Sequence, residues 1–208
     1  MPYKCIEAVT EFHVANHQAI NQPSHPGLAL LRIGLITEEL SETLAALRSQ
    51  KTNEVADGLA DLLYVTYGTA VSYGVPVSDW SLEPDSTFTG IVSASQAAQF
   101  AAAVMRPFET ATAVMAGQFR PALLTSVLGN MCGIIADFAA GWGWPMDELF
   151  FDVHASNMTK TFARPEPGQK YGAVNPKGPG YRPPATATIM AAAEERSKRL
   201  TGVVHSTE

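Results

Sequence analysis

The sequence predicts an all-α protein, a helical bundle built on an acidic helical hairpin with a degenerate second hairpin beside it. Three observations carry this. Apolar residues recur at helical spacing through most of the chain. Ala, Leu and Met favour helix over strand. A hydrophobic fraction of 46 % supplies a core for one domain over residues 1–208, with a duplicated element inside it.

The elements follow in order. Pro2 to Ala19 reads as an N-terminal helix with Ile6, Val9, Phe12 and His13 inward, ended by the helix-breaking segment NQPSHPG. Residues 28–73 read as two helices joined by RSQKTN. Leu31, Leu35, Leu40, Leu44 and Leu47 form the apolar face of the first, and Val55, Leu59, Leu62 and Val65 that of the second. Thr52 or Asn53 is the expected cap of the second helix. The loop GVPVSDWSLEPDSTFTG precedes a second pair within residues 95–141, Ser95 to Ala116 and Pro121 to Ala140, turned by GQFR. GVPVSD at Gly74 and GWPMDE at Gly143 match at a constant offset of 69 residues (143 minus 74). At that offset Pro107, Phe108, Ala111, Leu123, Ser126 and Asn130 replace every acid of the first hairpin. Residues 147–184 read as a short helix, Asp147 to Lys160, followed by an irregular Gly/Pro-rich tail. Ala185 to Leu200 reads as a last helix.

The acids point to function. Glu38, Glu39 and Glu42 sit at i, i+1, i+4, and Glu54, Asp57 and Asp61 at i, i+3, i+7. In an antiparallel hairpin the two lines face each other, and facing carboxylates need cations between them. Mg²⁺ or Mn²⁺, which take oxygen ligands, suit them. A solvated acidic face is the plainer alternative, but Arg32, Arg48 and Lys51 are the only basic residues from Leu28 to Tyr73. The net charge of −6 argues against general nucleic-acid binding. It conceals an acidic body and a basic tail, which suit either a site that takes divalent metal and phosphate together or an ordinary basic tail packed on an acidic surface. Cys5 and Cys132 lack metal spacing and suit a reducing cytoplasm. No apolar signal core and no membrane-length apolar run is read, so a soluble, cytoplasmic protein without membrane contacts is expected.

EExxE (Glu38 to Glu42) followed by ExxD (Glu54 to Asp57) resembles the signature of the MazG-like, all-α nucleoside triphosphate pyrophosphohydrolases. Further segments resemble a phosphoribosyl-ATP pyrophosphohydrolase-like branch found in phages and bacteria. They are EFHxA (Glu11 to Ala15), EVADxLADLLYVxYGTA (Glu54 to Ala70), VHxSNMxK (Val153 to Lys160) and KGPxYRPP (Lys177 to Pro184). The chain departs from that pattern in its inserted second hairpin, in Asn16-His17 after EFHxA, and in Ala155 before SNM.

The resemblance implies hydrolysis of a nucleoside triphosphate substrate to monophosphate and pyrophosphate, with about two or three Mg²⁺ ions per site and Mn²⁺ as a substitute. It implies Glu39, Glu42, Glu54 and Asp57 as metal ligands. Glu38 is the candidate general base or a ligand to an additional metal, and Asp61, one turn beyond Asp57, a further metal ligand or a group that supports one. Asn157 and Lys160 are expected at phosphate or sugar, Tyr64 beside the phosphates, and Lys177, Tyr181 and Arg182 as a closing segment. Asn16 and Gln18 offer amides to a base edge, which favours (d)GTP over the dUTP and dCTP cleaved by relatives. His13 and His154 are read as structural. Relatives assemble as homodimers or homotetramers, so a homo-oligomer is expected. The rival reading is a nucleotide-binding module without catalysis.

Overall fold

The computed structural model describes residues 2–77, 92–162, 174–175 and 178–200. Among them seven helices run in the order α1 (Pro2–Ala15), α2 (Pro26–Arg48), α3 (Thr52–Tyr73), α4 (Ala94–Ala116), α5 (Pro121–Ala140), α6 (Met146–Met158) and α7 (Thr186–Leu200). The one other regular feature there is a two-residue antiparallel pairing, Thr161 with Asn175 and Phe162 with Val174. The protein is all-α, as its sequence predicts.

Helix α3 is the central element, packed by α1, α2, α5, α6 and α7. Its sequence explains this, being apolar or small everywhere but along one line that carries its acids, the pattern of a helix buried on most sides. From Val55 to Tyr73 only Asp57, Asp61 and Val65 escape full burial, and they form one i, i+4, i+8 line. Buried hydroxyls on α3 return their protons to their own helix: Thr66 donates to the Leu62 carbonyl (2.7 Å) and Thr69 to that of Val65 (2.9 Å). The helix stops at Gly74, whose φ of 65° suits a residue without Cβ. There the backbone amides of Asn21 and Gln22 cap the carbonyls of Val71 and Ser72 (3.0 and 2.8 Å).

Helix α2 lies antiparallel to α3 in close contact. Thr43 sits against Gly58, and Arg32 against Gly68 and Thr69, which sets Glu39 level with Asp61. The α4–α5 pair closes the other side, α4 on α2 and α5 on α3, through Phe100, Val104 and Met115 with Leu128, Met131 and Ile135. Ser93 and Gln96 form a reciprocal capping box at the start of α4.

Several expectations change. Helix α1 ends at Ala15 rather than Ala19, because His17 takes a left-handed backbone (φ 52°) and turns the chain back. Neither Thr52 nor Asn53 caps α3: the N-cap position is Lys51 without a side-chain cap, and its amine pairs with Glu54 (2.7 Å). On α2 the inner line is Leu28, Arg32, Ile36, Leu40, Thr43 and Leu47, while Leu31, Leu35 and Leu44 are half-buried. The helix is covered by α3 on one side and α4 on another, so its buried face is rotated from the leucine stripe. Finally, α5 is long and apolar enough to cross a membrane, and half of its most apolar stretch is buried in the protein, as in the core helix of a bundle.

Candidate active site

Two adjoining cavities open along the seam of α2 and α3, and Asp61 lines both. The inner one, about 120 Å³, is bounded by Glu39 and Arg32 from α2, Asp61 and Tyr64 from α3, and Asn157 and Lys160 from α6 and its end. The outer one, about 430 Å³, is lined by Glu42, Lys51, Glu54, Asp57 and Asp61. The helix spacing accounts for this division. Glu39 and Glu42 are three residues apart on α2, Asp57 and Asp61 four apart on α3, so each pair points along one face and straddles the boundary.

The electrostatics are those of carboxylates short of cations. Burial, and then the neighbouring carboxylates of Asp61, Glu42 and Glu38, push the Glu39 carboxyl up to about 8 against the pull of Lys160. Burial raises Asp61 to about 7, with Asp57 the next cause and Lys160 again opposing. Asp57 is held by α7, since the Thr186 hydroxyl donates to its Oδ1 (2.7 Å). Glu54 is exposed and paired with Lys51. Glu38 is exposed and lines neither cavity. Among the described residues no three acid, histidine or cysteine side chains close into a finished metal cage. The donor set still fits a divalent cation: hard oxygen ligands from two helices, five acids faced by Lys160 and by Lys51, which is paired with Glu54.

The opposite wall is ordered by hydrogen bonds. Tyr64 Oη lies 3.0 Å from His154 Nδ1, and His154 Nε2 lies 3.6 Å from Glu11 Oε2. The EFHxA and VHxSNMxK segments therefore meet in space at Glu11 and His154, and Tyr64 is tied to them through His154. Burial raises the Tyr64 phenol and a hydrogen bond with Asn157 opposes it, so the hydroxyl stays protonated. His13 is buried, with Nδ1 2.7 Å from the Ala19 carbonyl, and burial followed by the Arg32 charge lowers it to about 4.

Of the residues expected at substrate, Tyr64, Asn157 and Lys160 reach the inner cavity. Asn16 lines neither cavity: its amide donates to the Phe12 carbonyl (2.8 Å), and Gln18 takes its place on the wall. Tyr181 stands in a turn closed by its amide on Gly178 (2.9 Å). Arg182 is tied to α6 by its backbone, its amide donating to Thr159 Oγ1 (2.9 Å) and its carbonyl accepting from Ser156 Oγ (2.7 Å), while its side chain is exposed. Lys177 lies outside the described residues. Arg32, His13 and Thr186 are at the site without having been singled out for it. Arg32 lies on the buried line of α2, which is rotated from the leucine stripe that the sequence displays.

Fold and cavity together define an all-helical protein with a carboxylate-lined hairpin site. Residues 7–83 match the family model of phosphoribosyl-ATP pyrophosphohydrolase, a stretch that takes in α1 from Glu7 together with α2 and α3. The match points to a pyrophosphohydrolase acting on nucleotide phosphoanhydrides and singles out no branch of the family. Neither a curated protein nor a solved structure matches the chain.

Proposed function

We propose that the protein is a divalent-metal-dependent nucleoside triphosphate diphosphohydrolase, converting a (d)NTP and water to (d)NMP and pyrophosphate, with (d)GTP preferred. The observation that carries this is the facing of Glu39 and Asp61 across one cavity that also contains Lys160 and Asn157. It lies in the part of the chain that matches a pyrophosphohydrolase family.

Glu39, Glu42, Glu54, Asp57 and Asp61 are the residues that would hold Mg²⁺ or Mn²⁺. When bound, the ions neutralise phosphate oxygens and acidify water. Lys160 supplies a cation from the other wall and suits an oxygen of the polyphosphate. Asn157 and the protonated Tyr64 hydroxyl suit the sugar. Water adds to phosphorus, the bond to the bridging oxygen breaks, and pyrophosphate leaves with the electron pair. The water's proton goes to a carboxylate. Glu38, exposed and next to Glu39 on α2, is the candidate for that role in this reading. Tyr181, Arg182 and Lys177 belong to the segment proposed to close over the nucleotide. A homodimer or homotetramer belongs to this reading by the family resemblance.

The test is a panel of the eight standard ribo- and deoxynucleoside triphosphates and dUTP with Mg²⁺ or Mn²⁺, measuring pyrophosphate against orthophosphate. Pyrophosphate from one or two substrates, lost in Glu39→Gln, is expected. Orthophosphate would place the cleaved bond elsewhere. Metal-dependent binding with no turnover would make this a binding module.

A further inference from the structure

Arg32 is 5 % exposed, and among the described residues it makes no ion pair. A buried guanidinium without a counter-charge is unfavourable unless its donors are met. Half of them are. Nε donates to Thr69 Oγ1 (3.1 Å) and Nη2 to the Val65 carbonyl (2.6 Å). Both acceptors are fixed on α3, because Thr69 passes its own proton to that same carbonyl. They engage one edge of the planar group. The end edge, with parallel N–H groups on Nη1 and Nη2, is left over at a residue that lines the inner cavity.

The surroundings are built around that edge. A Cβ on Gly68 would stand 2.6 Å from Arg32 Nη2 and 3.2 Å from His13 Nε2, so only glycine leaves this end of the cavity open. His13 Nδ1 faces the Ala19 carbonyl and therefore carries the proton, which leaves Nε2 as an acceptor beside the guanidinium. Phe12 and Leu35 add apolar wall. Arg32 and Glu39 are seven residues apart on α2, about 10 Å along the axis. Their backbone positions therefore stand apart by about the reach of a nucleotide from phosphate to base rather than by one phosphate–phosphate step.

We propose that this end of the cavity is the nucleobase subsite, and that Arg32 selects guanine by a two-point contact of its Nη1–Nη2 edge with O6 and N7. The proposal rests on the nucleotide reading above. Guanine presents two adjacent acceptors on that edge, whereas adenine sets a donor beside its N7. Thr69 and Gly68 are positioning residues: one holds the guanidinium, the other leaves room for it.

The experiment measures binding of dGMP, dAMP, dCMP, dTMP and inorganic pyrophosphate in EDTA by calorimetry, for wild type and Arg32→Met. Keeping the phosphate constant isolates the base, and EDTA separates binding from hydrolysis. Wild type should bind dGMP roughly tenfold or more tightly than the other three nucleotides. Arg32→Met should erase that preference and leave the other three within about twofold. Uniform weakening of all ligands, pyrophosphate included, would make Arg32 a phosphate residue and overturn the proposal. So would a wild type that prefers another base or none. If Arg32→Met fails to fold by circular dichroism, Gly68→Ala gives the same comparison, with the added methyl displacing Nη2. A wild type that binds dGMP selectively yet releases no pyrophosphate from any triphosphate would remove the hydrolase reading and keep this one. Equal turnover of every triphosphate by wild type and Arg32→Met would do the reverse.

Discussion

Thr43 and Gly58 touch across the α2–α3 hairpin so closely that a methyl on Gly58 would stand 2.6 Å from Thr43 Oγ1 and 3.2 Å from Thr43 Cα. The first contact involves a side chain already committed to the Glu39 carbonyl (2.8 Å), and the second is backbone. Neither yields cheaply. This contact holds the turns that carry Glu39 and Glu42 against those that carry Asp57 and Asp61.

Gly58→Ala therefore reverses the usual helix rule. In an exposed helix the substitution stabilises by about 0.5–1 kcal/mol. Here overpacking costs about 1–3 kcal/mol, so a net loss of about 1–2 kcal/mol is expected, with activity falling further as the helices part. Urea denaturation with parallel pyrophosphate assays reads both. A more stable and fully active Gly58→Ala would show that the hairpin spacing does not set the site.

Glu39→Gln separates stability from activity. The substitution keeps shape and removes an acid whose ionised form burial, and then Asp61, Glu42 and Glu38, disfavour. Metal-free Glu39→Gln should melt at or above the wild-type temperature, because about 1 kcal/mol of relief corresponds to roughly 2–4 °C for a chain of this size. Wild type should gain further stability from Mn²⁺ by mass action, and the variant little. Equal gains from Mn²⁺ in both proteins would take Glu39 out of the cation set.

The hairpin was legible in the sequence and part of the site was not, for identifiable reasons. Helical period, Gly74 as a stop, and the two acid lines are local signals, and each reappears as a helix, a left-handed turn or a cavity wall. Arg32 was hidden because the leucines of α2 define one apolar face, whereas packing by both α3 and α4 buries a face rotated from it. Thr186 reaches Asp57 across 129 residues of sequence, and no periodicity reports such a contact. Asn16 was named for a base edge because its side chain is polar, and the fold spends that amide on the end of α1.

Thr186→Val tests the long-range contact. The hydroxyl donates to Asp57 Oδ1 (2.7 Å) from the first residue of α7, and a hydrogen bond to a carboxylate contributes about 1.5–3 kcal/mol. Removing it should leave the core intact and let the Asp57 side chain swing. The metal concentration for half-maximal activity should rise several-fold while kcat at saturating Mg²⁺ changes less than about twofold. Thr186→Ser should restore the wild-type requirement. If kcat falls and the metal requirement stays put, Thr186 acts on something other than Asp57.

His13 gives the pH dependence. It is 3 % exposed, and burial, then the positive charge of Arg32, lowers it from 6.5 to about 4 in spite of its bond to the Ala19 carbonyl. Phe12 is its ring neighbour, and Arg32 is the charged group facing it from α2. The folded protein therefore binds the proton less readily than the unfolded chain, so ∂ΔG/∂pH is positive between the two values. Stability is fully present above pH 6.5 and is lost as pH falls towards about 4, by at most about 3 kcal/mol. In His13→Gln that contribution is absent at every pH. Urea unfolding of both proteins in EDTA between pH 7.5 and 4.5 should give curves that converge as the solution is acidified, because carboxylate effects are common to both. Parallel curves would mean that His13 titrates normally, with water reaching it beneath Gly68.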